Sequence, residues 1–359
     1  MMTRRVRLGV IGCGEASQIL HLPALRELGG LFEVTALCDV SRVTLDAVGA
    51  EWPGAKLCQD SAALIRDGAA EAVLIASPHA FHADAAAAAM LAGKHVFIEK
   101  PMCVTLAEAD RLLEAEQAAG VIAQVGYMRR YAPAFLEAVQ LVQKQRGSIR
   151  LARVHCVIGR NALFTAGTSK VIKGADVPQT VIDEGKALLA AKTAEAIGAS
   201  SGMRANAYAM LLGLSSHDLS AMRELIGVPK RVLYCALRHD GRAITAAFDH
   251  GDFICQFETT VDGIGRFDAH LEVYGMNDVI RVEYTTPYIR HQAAELIVTS
   301  AKLPAGFAVT RSAASRIDCF VQEWRAFYDN IVCRRTPKTS IADARQDLVL
   351  FREMMQAAV

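Results

Sequence analysis

The sequence lacks the features of several protein classes. None of its nine cysteines lies in a Cys-x-x-Cys pair, so small buried thiols in a reducing compartment are expected rather than a disulfide framework. Its 39 basic and 38 acidic side chains nearly cancel, which gives no global field that favours nucleic acid or an anionic membrane. No apolar run approaches the roughly 18–20 residues that cross a bilayer. We therefore expect a cytoplasmic protein without nucleic-acid or membrane partners.

The chain also lacks internal repeats, low-complexity tracts and a flexible linker. Its first 126 residues alternate short apolar runs with helical segments, a pattern typical of a doubly wound parallel sheet. Beyond about residue 127 the pattern changes to helices and an inserted segment at 161–205, which contains a predicted amphipathic helix near Thr180–Ile197. Consecutive strands follow from Arg231 to Tyr284, which indicates a mainly antiparallel sheet. The sequence predicts an N-terminal α/β domain with a doubly wound parallel sheet over residues 1–126 and an α+β domain over 127–359. The five predicted parallel strands are Val6–Ile11, Val34–Cys38, Ala72–Ala76, His95–Ile98 and Val121–Val125.

A glycine turn follows the first predicted strand. Gly12-Cys13-Gly14 ends that strand before a helix, and such a turn lets the backbone and the helix N-terminus approach a pyrophosphate. Asp39 closes the second strand about 25 residues later, near the spacing of an acid that binds the adenosine ribose. Such an acid repels a 2′-phosphate, so NAD is favoured over NADP. Arg42 nearby could soften that preference.

Several longer segments resemble one family. The glycine turn, the segment 76–82 (Ala-Ser-Pro-His-Ala-Phe-His), the segment 92–101 ending in Glu99-Lys100-Pro101, and the segment 126–133 are similar to the glucose–fructose oxidoreductase/inositol dehydrogenase (Gfo/Idh/MocA) family. The resemblance implies an NAD(P)-binding Rossmann domain over residues 1–126, followed by an open antiparallel sheet used for substrate binding and oligomer contacts. It also implies NAD(P)-dependent oxidation or reduction of a carbinol centre in a sugar, cyclitol or related polyol. With the turn and Asp39, it assigns cofactor contacts to Gly12, Cys13, Gly14, Glu15, Ala16, Asp39, Arg42, Ser77, Pro78, His79, His82, Glu99 and Lys100.

Two residues are candidates for the chemistry itself. Lys100 lies just beyond the end of a predicted strand, where ligands bind in doubly wound sheets, and its ammonium can stabilise negative charge on a reacting oxygen. His217 matches the histidine of the family pattern, and a histidine titrates close enough to neutral pH to act as a base. No metal is expected in this site.

The sequence departs from the family pattern beside His217. Gly213 replaces the aspartate that the resemblance places four residues before the histidine, and Asp218 points about 100° away from His217 on a helix. This departure leaves three alternatives. His217 acts alone with Lys100, or an acid of the inserted segment such as Asp183 or Glu184 replaces the missing aspartate. In the third alternative, the protein has lost dehydrogenase activity.

The substrate residues are less constrained than the cofactor residues. Substrate contacts are assigned to Lys100 and His217 and, more loosely, to Arg130, Arg160 and Asn161. Two other functions stay open: an NAD-dependent glycosidase of the same fold, and a cofactor-binding regulatory protein without catalysis. Because an exposed antiparallel sheet face needs covering, a homodimer or homotetramer is expected.

Overall fold

The computed structural model describes residues 4–302 and 304–359. The helices are α1 (Leu22–Glu27), α2 (Arg42–Gly49), α3 (Ser61–Arg66), α4 (His82–Leu91), α5 (Leu106–Ala119), α6 (Pro133–Lys144), α7 (Ala162–Thr165), α8 (Gln179–Ile197), α9 (Gly202–Met210), α10 (Ser216–Ile226), α11 (Cys319–Cys333) and α12 (Ile341–Gln356). The strands are β1 (Val6–Ile11), β2 (Phe32–Cys38), β3 (Lys56–Cys58), β4 (Ala72–Ile75), β5 (His95–Glu99), β6 (Ala123–Gly126), β7 (Leu151–Gly159), β8 (Arg231–Arg238), β9 (Ala243–Asp249), β10 (Ile254–Asp262), β11 (Phe267–Tyr274), β12 (Asp278–Tyr284), β13 (Glu295–Ala301) and β14 (Phe307–Ser312).

The contacts divide the chain into two compact units. The first combines the described residues up to Gly126 with Ser169–Ser200 and Phe320–Leu348, and the second takes the intervening segments and the C-terminal residues from Val349. The break after Gly126 coincides with the predicted boundary. The division differs from a contiguous domain over 127–359 because two later segments pack with the first unit. In one of them, the backbone carbonyl of Glu323 accepts a hydrogen bond from Gln124 on β6.

The first unit contains the predicted doubly wound sheet. Its six strands are all parallel, in the order β3-β2-β1-β4-β5-β6. The apolar strands are almost completely buried: all four residues of β4 lie in the core. Helix starts also follow the sequence, since Thr105 and Glu108 form a capping box at α5 and the Ser41 hydroxyl accepts the Thr44 amide at α2.

The second unit contains an eight-stranded sheet in the order β14-β13-β12-β11-β7-β10-β9-β8. All neighbouring pairs are antiparallel except β7 with β10, which confirms a mainly antiparallel sheet. Alternate residues of β7 are buried, and α6 and α10 pack within this unit against β12 and β7. Across residues 4–302 and 304–359, no helix is both long and apolar enough to cross a membrane.

Candidate functional site

A cavity of about 940 Å³ opens in the first unit beside the carboxyl ends of β1, β2 and β4. Its size falls within the range of about 300–1,000 Å³ that is usual for small-molecule and cofactor sites. Five residues predicted from the sequence to contact the cofactor line one side, and apolar residues of α8 line the other. The predicted residues are Gly12, Asp39, Ser77, Pro78 and His79, and the α8 residues include Val181, Ile182, Leu188 and Leu189.

Gly12 is required by the tight turn after β1. Its φ is +96°, and a Cβ atom there would lie 2.5 Å from the backbone carbonyl of Ala76. Its amide donates to the Cys38 carbonyl at 2.8 Å. Gly14 differs, because a Cβ atom there would meet nothing within 4 Å. The turn is therefore closed against the sheet at Gly12 and open at Gly14.

Asp39 ties the glycine turn to the start of α2. Its carboxylate accepts the Cys13 amide at 2.8 Å and the Ser41 amide at 2.9 Å. Burial, together with the charge of Asp39, raises the pKa of the Cys13 thiol to about 12. The buried Cys13 thiol is therefore neutral, and Asp39 is one of the residues that line the cavity.

The other predicted cofactor residues have varied environments. Glu15 pairs with Lys173 at 3.2 Å, and Ala16 precedes a π-helical turn over Ser17–His21. The Arg42 guanidinium pairs with Asp46 at 2.7 Å. The structure thus directs the Arg42 side chain along its own helix.

Two histidines follow β4. Burial, with the neighbouring His82 and Lys100 charges, lowers the pKa of His79 to about 3, so the cavity wall carries a neutral ring at pH 7. The His82 ring nitrogens lie 2.7 Å from the Pro101 carbonyl and 2.5 Å from the Ser77 carbonyl. His82 therefore connects two loops at the edge of the sheet.

Lys100 follows the last residue of β5, and its peptide bond to Pro101 is cis. Its amide donates to the Glu99 carboxylate at 3.0 Å, and the other Glu99 oxygen lies 2.8 Å from His21 Nε2. The Trp324 indole N–H donates to His21 Nδ1 at 3.1 Å, so Nε2 carries the proton and donates to Glu99. Burial raises the pKa of Glu99, but the hydrogen bond from His21 and the nearby charge of Lys100 outweigh burial and hold that pKa below its usual value.

His217 lies in the first turn of α10 in the second unit and is 8% exposed. The Tyr127 ring approaches it edge-on, with ring centroids 6.4 Å apart. The next residue, Asp218, is fully buried in an ion pair with Arg129. Burial raises the pKa of Asp218 above its usual value although Arg129 opposes that rise. Gly213, at the position of the family aspartate, lies in a π-helical turn over Leu211–Ser215 that leads directly into α10.

The predicted substrate residues of the second unit are of two kinds. Arg130 is buried and pairs with Glu224 at 2.6 Å. Arg160 and Asn161 are exposed, and the Asn161 amide donates to the Tyr288 hydroxyl at 2.7 Å.

The suggested replacement acids belong to α8 in the first unit. Asp183 is exposed and accepts hydrogen bonds from Gln179 and Lys186 on its own helix. Glu184 lines the cavity. Glu184 is therefore a residue of the cavity wall, whereas Asp183 is engaged on the helix surface.

Residues 6–127 match the model of an oxidoreductase family with an NAD-binding Rossmann fold, Gfo/Idh/MocA. The N-terminal third of the chain is therefore similar to this family. The family resemblance of the sequence is thereby confirmed, and the first unit is an NAD(P)-binding Rossmann domain.

The relatives are similar over part of the chain. Inositol 2-dehydrogenase of Paracoccus denitrificans is 36% identical over 163 residues, 44% of this chain and 48% of that protein. A 1-carboxy-3-chloro-3,4-dihydroxycyclohexa-1,5-diene dehydrogenase of Comamonas testosteroni is 34% identical over 146 residues, 40% and 36% of the two chains. The chain therefore matches about half the length of the Paracoccus protein and about a third of the Comamonas protein.

Solved structures share the whole fold. The 3-ketoreductase KijD10 of Actinomadura kijaniata, in complex with NADP and TDP-benzene, superposes with a TM-score of 0.74 at 19% identity, covering 99% of this chain and 98% of that chain. A probable dehydrogenase of Thermotoga maritima gives a TM-score of 0.71 at 20% identity, over 98% and 97% of the two chains. These similarities establish the two-domain architecture.

The apolar wall that α8 contributes to the cavity was not predicted from the sequence. The sequence predicted a helix at Thr180–Ile197 but did not place it beside Gly12 and Asp39. Lys192 on α8 donates to the Ala80 carbonyl at 2.6 Å, which fixes the helix over the loop after β4. The apolar residues Val181, Ile182, Leu188 and Leu189 were the available signal, since they recur at helical spacing.

Proposed function

We propose that the protein is an NAD-dependent oxidoreductase that transfers a hydride between nicotinamide and a carbinol or ketone carbon of a sugar, cyclitol or related polyol. The cavity at the edge of the parallel sheet carries this proposal, because the tight Gly12 turn and the Asp39 carboxylate lie where a dinucleotide binds in this fold. The Ser77 hydroxyl, buried in the wall without a protein partner, offers a further polar contact. The residues present fit the cofactor.

Asp39 would bind the adenosine ribose hydroxyls, and the amides of the Gly12–Gly14 turn would face the pyrophosphate. When bound, the nicotinamide would supply the hydride chemistry. Lys100 donates a hydrogen bond to the reacting oxygen and stabilises negative charge there. His217 takes or returns the hydroxyl proton. The Glu99 contact to the Lys100 amide orients the backbone from which Lys100 reaches the substrate.

The relatives support the substrate class. The name inositol 2-dehydrogenase denotes action on a cyclitol, and the name of the Comamonas enzyme denotes a dihydroxylated ring as its substrate. A ring carbon that carries a hydroxyl is therefore the common feature, and Arg130, Arg160 and Asn161 are proposed to contact its neighbouring polar groups. A homodimer or homotetramer formed through the sheet of the second unit is proposed as the assembly, to be measured by sedimentation.

The test measures nicotinamide absorbance with NAD and a panel of sugars and cyclitols. Lys100→Met should lower kcat by about 10²–10⁴-fold, the range for a positioned proton-transfer group, while the Kd for NAD changes less than about twofold. The exposed Lys144 supplies a control, since Lys144→Met removes an equal charge from the second unit.

If Lys100→Met lowered kcat and the affinity for NAD equally, the proposed role of Lys100 at the reacting oxygen would be wrong. Cleavage of an aryl glycoside without net NADH would instead identify a glycosidase. NAD binding with no turnover on any substrate would identify a regulatory protein.

A further inference from the structure

The N-terminus of α2 is covered by a carboxylate from the inserted segment. Asp176 Oδ1 accepts the Ser41 hydroxyl at 2.6 Å, and its Oδ2 accepts the Arg42 amide at 2.7 Å and the Val43 amide at 3.2 Å. One side chain therefore takes three donors that the start of α2 offers to an anion. The Ser41 hydroxyl bond and the backbone amides hold the pKa of Asp176 below its usual value, so this group is an anion at neutral pH.

This carboxylate adjoins the acid at the cavity edge. Asp39 accepts the amide of Ser41, and Asp176 accepts its hydroxyl. Asp39 lines the cavity, so the two negative charges are linked through one serine beside the proposed ribose site.

The inserted segment is also held by the residues just before Asp176. Gln18 and Ile172 exchange two hydrogen bonds of 2.8 Å, and the Gly174 amide donates to Thr44 Oγ1 at 2.9 Å. A Cβ atom on Gly174 would lie 1.9 Å from the Ser41 hydroxyl oxygen. The segment thus packs against α2 too closely to leave a free space between them.

A 2′-phosphate on the adenosine ribose needs donors or a guanidinium at this place. Here the backbone donors bind Asp176, and the Arg42 guanidinium is paired with Asp46. A phosphate would also approach two carboxylates, and like charges placed together are strongly unfavourable. NAD, which has only hydroxyls there, meets neither obstacle.

We propose that Asp176 is a specificity-determining residue that makes the cavity select NAD over NADP by filling, from the inserted segment, the anion position at the start of α2. The proposal rests on the proposed function, because it requires a dinucleotide in the cavity. It adds a second carboxylate to Asp39.

The test measures the Kd values for NAD and NADP by calorimetry on the full chain. Wild type should bind NAD at least about 100-fold more tightly than NADP. Asp176→Asn keeps an acceptor and removes the charge, and it should lower that ratio by about tenfold, the factor that corresponds to 1.4 kcal/mol. Glu195→Gln removes an equal charge from an exposed position on α8 and should leave the ratio within twofold.

The lower ratio in Asp176→Asn should come from tighter binding of NADP, not from weaker binding of NAD. This increase in NADP affinity should shrink at high salt, because it is electrostatic. Asp176→Ser, which removes the carboxylate altogether, should show the same change if the Asn variant fails to fold. An unchanged ratio in the folded variants, or equal loss of affinity for both dinucleotides, would overturn the proposal. Wild type that unfolds cooperatively yet binds neither dinucleotide would overturn the proposed function instead.

Discussion

Each candidate catalytic residue has a buried carboxylate as its neighbour in the chain. Glu99 precedes Lys100 in the first unit, and Asp218 follows His217 in the second. Glu99 is held by the His21 ring and by a backbone amide. Both carboxylates are removed from water, so each needs partners that replace its hydration.

The two carboxylates obtain those partners differently. Asp218 is paired with the guanidinium of Arg129, itself stacked over Tyr284 at 5.1 Å, whereas Glu99 relies on a neutral donor. The pKa of Glu99 lies below its usual value, and that of Asp218 lies above it because of burial. The difference indicates that Glu99 orients the chain at Lys100. Asp218 is the counter-ion of Arg129, which leaves it unsuited to replace the family aspartate.

Removing Arg129 gives the largest effect that follows from this contrast. Arg129→Leu leaves a buried, uncompensated carboxylate, and the free energy of unfolding should fall by about 3–5 kcal/mol. Urea denaturation followed by circular dichroism measures it. The double variant Arg129→Leu with Asp218→Leu should recover most of the loss, since apolar pairs can replace a buried ion pair. A double variant no more stable than the single one would show that packing around Arg129 dominates instead.

Removing His21 should cost less. His21→Leu takes one neutral donor from Glu99 and the acceptor from Trp324, and unpaired groups of this kind cost about 1–3 kcal/mol. Glu99 keeps the Lys100 amide in this variant. The same denaturation experiment measures it, and a loss as large as that of Arg129→Leu would show that the two carboxylates do not differ in the way their partners suggest.

The pH dependence separates the two carboxylates further. The ordinary pKa of Glu99 is 4.5 and its folded pKa is lower, so its contribution to stability is complete above pH 4.5 and is lost as the pH falls through the folded value. The folded pKa of Asp218 is raised, so its contribution to stability is present at low pH and is lost as the pH rises through the folded value. Glu99→Gln should therefore flatten the decline in stability below pH 4.5. The exposed Glu114→Gln is the control, and an identical decline in wild type and Glu99→Gln would contradict this assignment.

The parallel sheet was predictable from the sequence because its central strands are continuous apolar runs. Val6–Ile11 was predicted with its observed ends, and His95–Ile98 within one residue. The edge strand β3 has three residues, none of them fully buried, so it gave no apolar run. Strands β13 and β14 were missed for a similar reason, since much of each is exposed or half-buried.

Site residues were predictable where their role is set by the local backbone. Gly12 and Asp39 are of this kind, because a strand end, a tight turn and a spacing define them. Asp176 and the pairing of Arg129 with Asp218 depend on contacts between residues 89 or more positions apart. No local pattern encodes which acid meets which donor at that separation, so the inserted segment could be predicted as a helix but not as a wall of the cavity.

The smallest effect tests whether burial, and not only pairing, makes the Arg129 ion pair important. Arg130 pairs with Glu224, whose side chain is 18% exposed, whereas that of Asp218 is completely buried. Water can therefore replace part of the interaction, and Glu224→Gln also keeps an acceptor for the Arg130 guanidinium. The free energy of unfolding should fall by about 1 kcal/mol, near the upper value for solvent-accessible pairs. A loss in Glu224→Gln that equals the loss in Arg129→Leu would show that the partner's exposure does not set the cost. A loss confined to low salt would show that the remaining interaction is a screened charge pair.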